Sequence, residues 1–111
     1  MFEGAIIKET LTDELLLDHL TIEKVEIWKT KDAIKYWTMI FFRSETDDLP
    51  QRLANTIIDD WFADMKSGNV KYIIFKNKVL QYEIGNAIEK EDVLKYMRSR
   101  GIPENQFKWS E

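Results

Sequence analysis

The stretch "DDWFADMKSGNVKYIIFKNKVLQYEIG", residues 59–85, decides the fold. Its first half reads either as the end of a helix or as a new strand. A helix advances about 100° per residue. Run on from Leu49, Leu53 and Ile57, it would keep Trp61 and Met65 on the apolar stripe, but also Asp64. Burying an unpaired carboxylate there is costly. If the helix instead stops near Asp60, Trp61–Met65 becomes a strand and Ser67-Gly68-Asn69 a three-residue hairpin loop containing glycine. That loop sets Asp64 opposite Tyr72 and Trp61 opposite Phe75. A second turn at Asn77-Lys78 sets Phe75 opposite Leu80 and Ile73 opposite Tyr82. One sheet face then reads Trp61, Ala63, Met65, Ile73, Phe75, Leu80, Tyr82, Ile84, almost unbroken and apolar. The other reads Phe62, Asp64, Tyr72, Ile74, Gln81, Glu83. Two turns agreeing on one core face favour the strand, because a one-residue slip would exchange the faces.

Outward from this hairpin, the chain alternates strands and helices. "FEGAIIK" (Phe2–Lys8) reads as a first strand, and "TDELLLDHL" as a short helix capped by Thr12. "IEKVEIWKT" (Ile22–Thr30) reads as a half-exposed strand, and Lys31-Asp32 as a turn. "IKYWTMIFFR" (Ile34–Arg43) is apolar on both parities, which marks a strand covered on both faces and the expected sheet centre. "SETDDLPQRLANTIIDD" is a helix opened by Asp47 or Asp48 with Pro50 in its first turn. "NAIEKEDVLKYMRSRGIP" is a second helix, with a capping box from Asn86 and Glu89 and a stop at Gly101. The whole of 1–111 is expected to be a single α+β domain. It is two-layered: a mostly antiparallel sheet with the two main helices packed on one face.

"WFADM" (61–65), "YIIFKNKV" (72–79) and "GIPENQF" (101–107) resemble a group of small uncharacterised prokaryotic proteins. The resemblance covers the second half of the chain. It implies an α+β fold and brings neither an activity nor a functional residue.

Composition narrows the function classes. Without cysteine there is no disulfide and no thiolate metal site, which fits a reducing, cytoplasmic setting. No apolar run approaches the roughly 20 residues needed to cross a bilayer, so no membrane role is expected. The net charge is −4, but Lys66–Arg100 carries 8 basic and 4 acidic residues while the rest carries 8 and 16. A nucleic-acid binder concentrates its basic residues on one face; lysines at hairpin ends more commonly protect an edge. Nucleic acid is therefore not expected as a partner. With a single histidine, His19, a histidine-rich metal site is impossible. The Asp47-Asp48 and Asp59-Asp60 pairs lack the spacing of a calcium loop and read as solvated carboxylates. No cofactor or metal is expected.

Two functional expectations remain. The first is a non-catalytic binding or assembly module acting as a homo-oligomer. Its contact candidates are Phe62 and Ile74, which have no obvious helix to cover them, and Trp109, which either pins the tail or meets a partner. The alternative is a small enzyme or ligand binder using Asp64, Tyr72 and Glu83. In the expected register these form a cross-strand row, a phenol between two carboxylates, suited to acid–base work. A hydrated row on an outer sheet face would look the same in sequence.

Overall fold

The computed structural model describes residues 1–29, 36–107 and 109–111. The expected turn at Lys31-Asp32 and the start of the strand at Ile34 lie outside them. The elements run β1 (Phe2–Ile7), β2 (Thr21–Lys29), β3 (Tyr36–Ser44), α1 (Leu49–Thr56), β4 (Phe62–Ser67), β5 (Val70–Phe75), β6 (Lys78–Glu83) and α2 (Ala87–Ser99). The fold is α+β, and its strands form one six-stranded sheet in the order β2-β3-β1-β4-β5-β6. Every pairing is antiparallel. The segment after β1, expected as a two-turn helix capped by Thr12, is a 3-10 helix over Glu14–His19 capped by Asp13.

The strand reading of residues 61–65 holds: α1 ends at Thr56 and β4 begins at Phe62. The register does not. Ser67 faces Val70, so the hairpin closes on two residues, Gly68-Asn69, rather than three. Gly68 has φ +59, the left-handed backbone a glycine-first two-residue turn requires. Such turns match the twist of the strands they join. The second turn is Lys76-Asn77, one residue earlier than expected, with Asn77 at φ +59. Asp64 therefore pairs with Ile73, Met65 with Tyr72, and Tyr72 with Gln81.

The shift moves the core. Ile73 and Ile74 are adjacent on β5, point to opposite faces, and are both fully buried. Ile74 joins a core with Ile6, Phe42, Met65 and the α1 residues Leu49, Leu53 and Ala54. Ile73 joins a second core with Phe75, Tyr82 and the α2 residues Val93 and Met97. The expectation of both main helices on one face is thus corrected: each helix seats on a different core, one on either side of β5. The strand covered on both faces is β5, not β3. β3 lies one strand in from the edge; its Ile40 and Phe42 are buried, whereas Trp37, Met39 and Phe41 are only half-buried.

Local chemistry fixes these elements. Gly4 of β1 lies opposite Met65 of β4, and a Cβ there would stand 2.8 Å from the Asp64 carbonyl oxygen. Pro50 opens α1, but the expected Asp48 side-chain cap is absent; its carboxylate accepts from Arg52 Nε instead, at 2.8 Å. Asn86 caps α2 through the Glu89 N–H, while Glu89 reaches the N–H of Glu83. At the far end, the N–H groups of Gly101 and Ile102 donate to Arg98 and Met97 carbonyls, with Gly101 at φ +76. This is the Schellman arrangement.

Candidate functional site

The row of Asp64, Tyr72 and Glu83 does not form. Asp64 lies on the α2 side of the sheet, and Tyr72 on the α1 side, where its ring meets Phe2 edge-on at 5.5 Å. Glu83 pairs with Val70 and accepts from Asn69 Nδ2 at 3.3 Å. The two-residue hairpin turn is the cause, since losing one loop residue exchanges the faces of β5 relative to β4. The expected outer-face contacts are also corrected. Ile74 is fully buried beside α1. Phe62 is half-buried and packs on Phe75 and Trp109 at 5.8 and 6.2 Å. Trp109 pins the tail: its Nε1 donates to Tyr82 Oη at 2.8 Å.

Asp64 has a different partner. β5 reads Lys71, Ile73, Phe75 on the α2 side, so Lys71 enters beside the apolar residues. It is only 3% exposed, and its Nζ donates to Asp64 Oδ1 and to the Ser110 carbonyl, both at 2.6 Å. A lysine is this deeply buried only when paired. Beside it, Tyr82 Oη donates to the Glu111 carboxylate. Burial, and then that carboxylate, push the Tyr82 hydroxyl well above its ordinary range. The same hydrogen bond from Tyr82, with Lys90 nearby, holds the Glu111 carboxyl below the usual carboxylate range. The tail is therefore fastened to the sheet by polar contacts around Lys71 and Tyr82. Sequence reasoning missed Lys71, although its parity with Ile73 and Phe75 was the available signal.

Asp64 and Lys71 lie at one side of an open groove of about 510 Å³. Met39 and Phe41 contribute apolar surface, Trp109 and Ser110 the tail side, and Trp28 and Glu23 the β2 side. His19 lines a separate hollow of about 290 Å³ with Asp13 and Arg52. Among the described residues, no three His, Asp or Glu side chains converge as a metal site would need.

The other conspicuous surface is the end of the sheet at β2. This strand pairs only with β3, so its outer edge carries unpaired backbone groups among the described residues. Ile22, Val25, Ile27 and Trp28 of this strand, with Tyr36 beside it, are exposed; Val25 is 52% and Ile27 59% accessible. The opposite edge, β6, instead exposes Lys78, Gln81 and Glu83. No helix among the described residues is long and apolar enough to cross a membrane. No family model, no curated protein and no solved structure matches the chain.

Proposed function

We propose that the protein is a non-catalytic assembly module that works as a homo-oligomer, joined through the β2 edge. The observation that carries this reading is the exposed apolar row Ile22, Val25, Ile27 on a nine-residue edge strand. A long apolar edge is a template for pairing with another chain, and folded proteins ordinarily blunt such edges. The exposed side chains of β6 are Lys78, Gln81 and Glu83, whereas β2 exposes Ile22, Val25 and Ile27 alongside its charged residues. The reading differs from the sequence expectation in its surface, since Phe62, Ile74 and Trp109 are occupied within the fold. Sedimentation velocity across a concentration series tests it: a concentration-dependent dimer or larger species is expected, and a strict monomer at high concentration overturns it.

Nucleic acid has no place in this reading. Three lysines of the basic segment face carboxylates: Lys66 with Glu3 at 3.7 Å, Lys71 with Asp64 at 2.6 Å, and Lys76 with Asp59 at 3.6 Å. The absence of cysteine fits operation in the reducing cytoplasm.

A second reading is a small-ligand binder using the groove beside Asp64. The observation favouring it is the buried Lys71 paired with the half-buried Asp64 next to aromatic walls, since pockets combine apolar lining with a few placed polar groups. A fragment screen followed by NMR tests it. Fragments that shift the Trp28 and Trp109 indole signals together support it, and a screen in which none does so overturns it.

A further inference from the structure

We infer that two copies of the chain join β2 to β2 in antiparallel fashion, about a twofold axis at Val25, making one continuous sheet. The inference rests on the assembly reading and adds the partner strand and its register. It follows from the pleat, the bulge and the charges of β2.

The β2–β3 register skips Glu23: Ile22 lies opposite Phe42 and Lys24 opposite Phe41. Glu23 is thus the extra residue of a bulge. Without it, the strand presents Thr21, Lys24, Glu26 and Trp28 on the face of Phe41 and Met39. It presents Ile22, Val25 and Ile27 on the face of Phe42 and Ile40. A twofold axis normal to the sheet keeps each face on its own side. Side chains on one face must therefore meet side chains of the same face, and the axis must pass through a residue rather than between two.

Few centres are available. At Lys24 or Glu26, the central residue meets its own like charge, which is destabilising for directly opposed pairs. At Ile27, Val25 falls opposite Lys29 and Glu26 opposite Trp28. At Val25 aliphatic residues meet aliphatic residues, charged residues meet opposite charges, and Thr21 falls opposite Trp28. Val25 meets Val25 of the second copy, and Ile22 meets Ile27 twice, so the three exposed aliphatic residues of this strand cover one another. On the other face Lys24 meets Glu26 twice. These two residues already face each other within one strand, Lys24 Nζ lying 3.5 Å from Glu26 Oε2. Directly opposed side chains on paired strands stand roughly 5 Å apart at Cβ, within reach of the same exchange between copies. Such charge pairs select the register and suppress wrong partners more than they add affinity.

Charge reversal tests this in four proteins. Glu26→Lys puts two Lys–Lys pairs at the junction, and Lys24→Glu puts two Glu–Glu pairs there. Each alone is expected to weaken dimerisation roughly tenfold relative to the parent, read by sedimentation. A 1:1 mixture of the two variants is expected to recover a heterodimer, and the double variant K24E/E26K a homodimer. Both positions are on an edge strand, and the double variant also reports that neither change prevents folding. If the parent dimerises and the single variants do so equally well, the register is overturned while the assembly reading stands. A parent that stays monomeric, leaving the edge to a strand of another protein, overturns both.

Discussion

At the scale of single residues, the telling groups are Lys71, Gly4 and Tyr82. Lys71 is buried as a cation with Asp64, which is one-third exposed. Removing one partner of such a pair leaves a charge without compensation, which costs more than replacing the charge itself. Asp64→Ala is therefore expected to destabilise by about 1–3 kcal/mol, the partial exposure and the remaining Ser110 carbonyl reducing the usual cost. Lys71→Met, which keeps the volume, is expected to cost less; urea titrations of the two variants give the order directly. Gly4→Ala is expected to cost about 1–3 kcal/mol, because the new methyl meets backbone that cannot swing away. The Tyr82–Glu111 pair sets two pH limits on tail docking. Glu111 has a folded pKa below its free value of 4.5, so its contribution is present above about pH 4.5 and is lost as pH falls through the folded value. Tyr82 has a folded pKa above 10.0, so its contribution is complete below pH 10 and is lost as pH rises beyond it. Stability measured in urea should decline below pH 4.5 and above pH 10 more steeply in the parent than in a Tyr82→Phe variant; equal slopes in the two proteins would remove the pair from tail docking.

At the scale of elements, two short turns decide more than the strands they join. Gly68 sits at positive φ with open space where a Cβ would be, so Gly68→Ala tests backbone conformation without a clash. A loss of about 1–2 kcal/mol in chemical denaturation is expected, the ordinary strain of a left-handed L-residue. The same turn marks the limit of what the sequence discloses. Strand identity was legible, since Asp64 on the apolar stripe of an extended helix argued against that helix. Both main helices were legible too, from Pro50, Asn86 and Gly101. Register was not, because "SGN" accommodates a two-residue or a three-residue loop and only the tertiary context chooses. The choice carried the candidate site with it: Asp64 faces Lys71 and not Tyr72. The residues "YIIF" (72–75) are apolar on both parities, as are "WTMIFF" (37–42), so composition could not say which strand would be covered twice. α2 and the tail, both distant in sequence, answered in favour of β5.

At the scale of the whole molecule, one end of the sheet, β2, exposes large apolar side chains and the other, β6, does not, and the asymmetry predicts how the protein behaves in bulk. If the copies join at β2 as proposed, association should survive moderate salt, since the Ile22–Val25–Ile27 contacts are apolar, with salt eroding the Lys24–Glu26 exchange only modestly. A dimer that dissociates completely between low and moderate ionic strength would argue that charge, not the Ile22–Val25–Ile27 row, holds the copies together. Affinity for DNA or RNA should be weak near physiological salt, and a fluorescence-anisotropy titration showing tight, steeply salt-dependent binding would contradict the pairing of the lysines described above. The strand order has a kinetic consequence as well. β1 sits between β3 and β4, although both follow it in the chain by some 30 residues or more. The β2–β3 and β4–β5–β6 units can each form from neighbouring segments, but within the sheet it is β1 that pairs with both, with β3 on one side and β4 on the other. Closing such long loops is what slows folding in domains of this kind. The rate-limiting event should therefore be the insertion of β1, and until it occurs the facing edges of β3 and β4 are open to pair with the wrong chain.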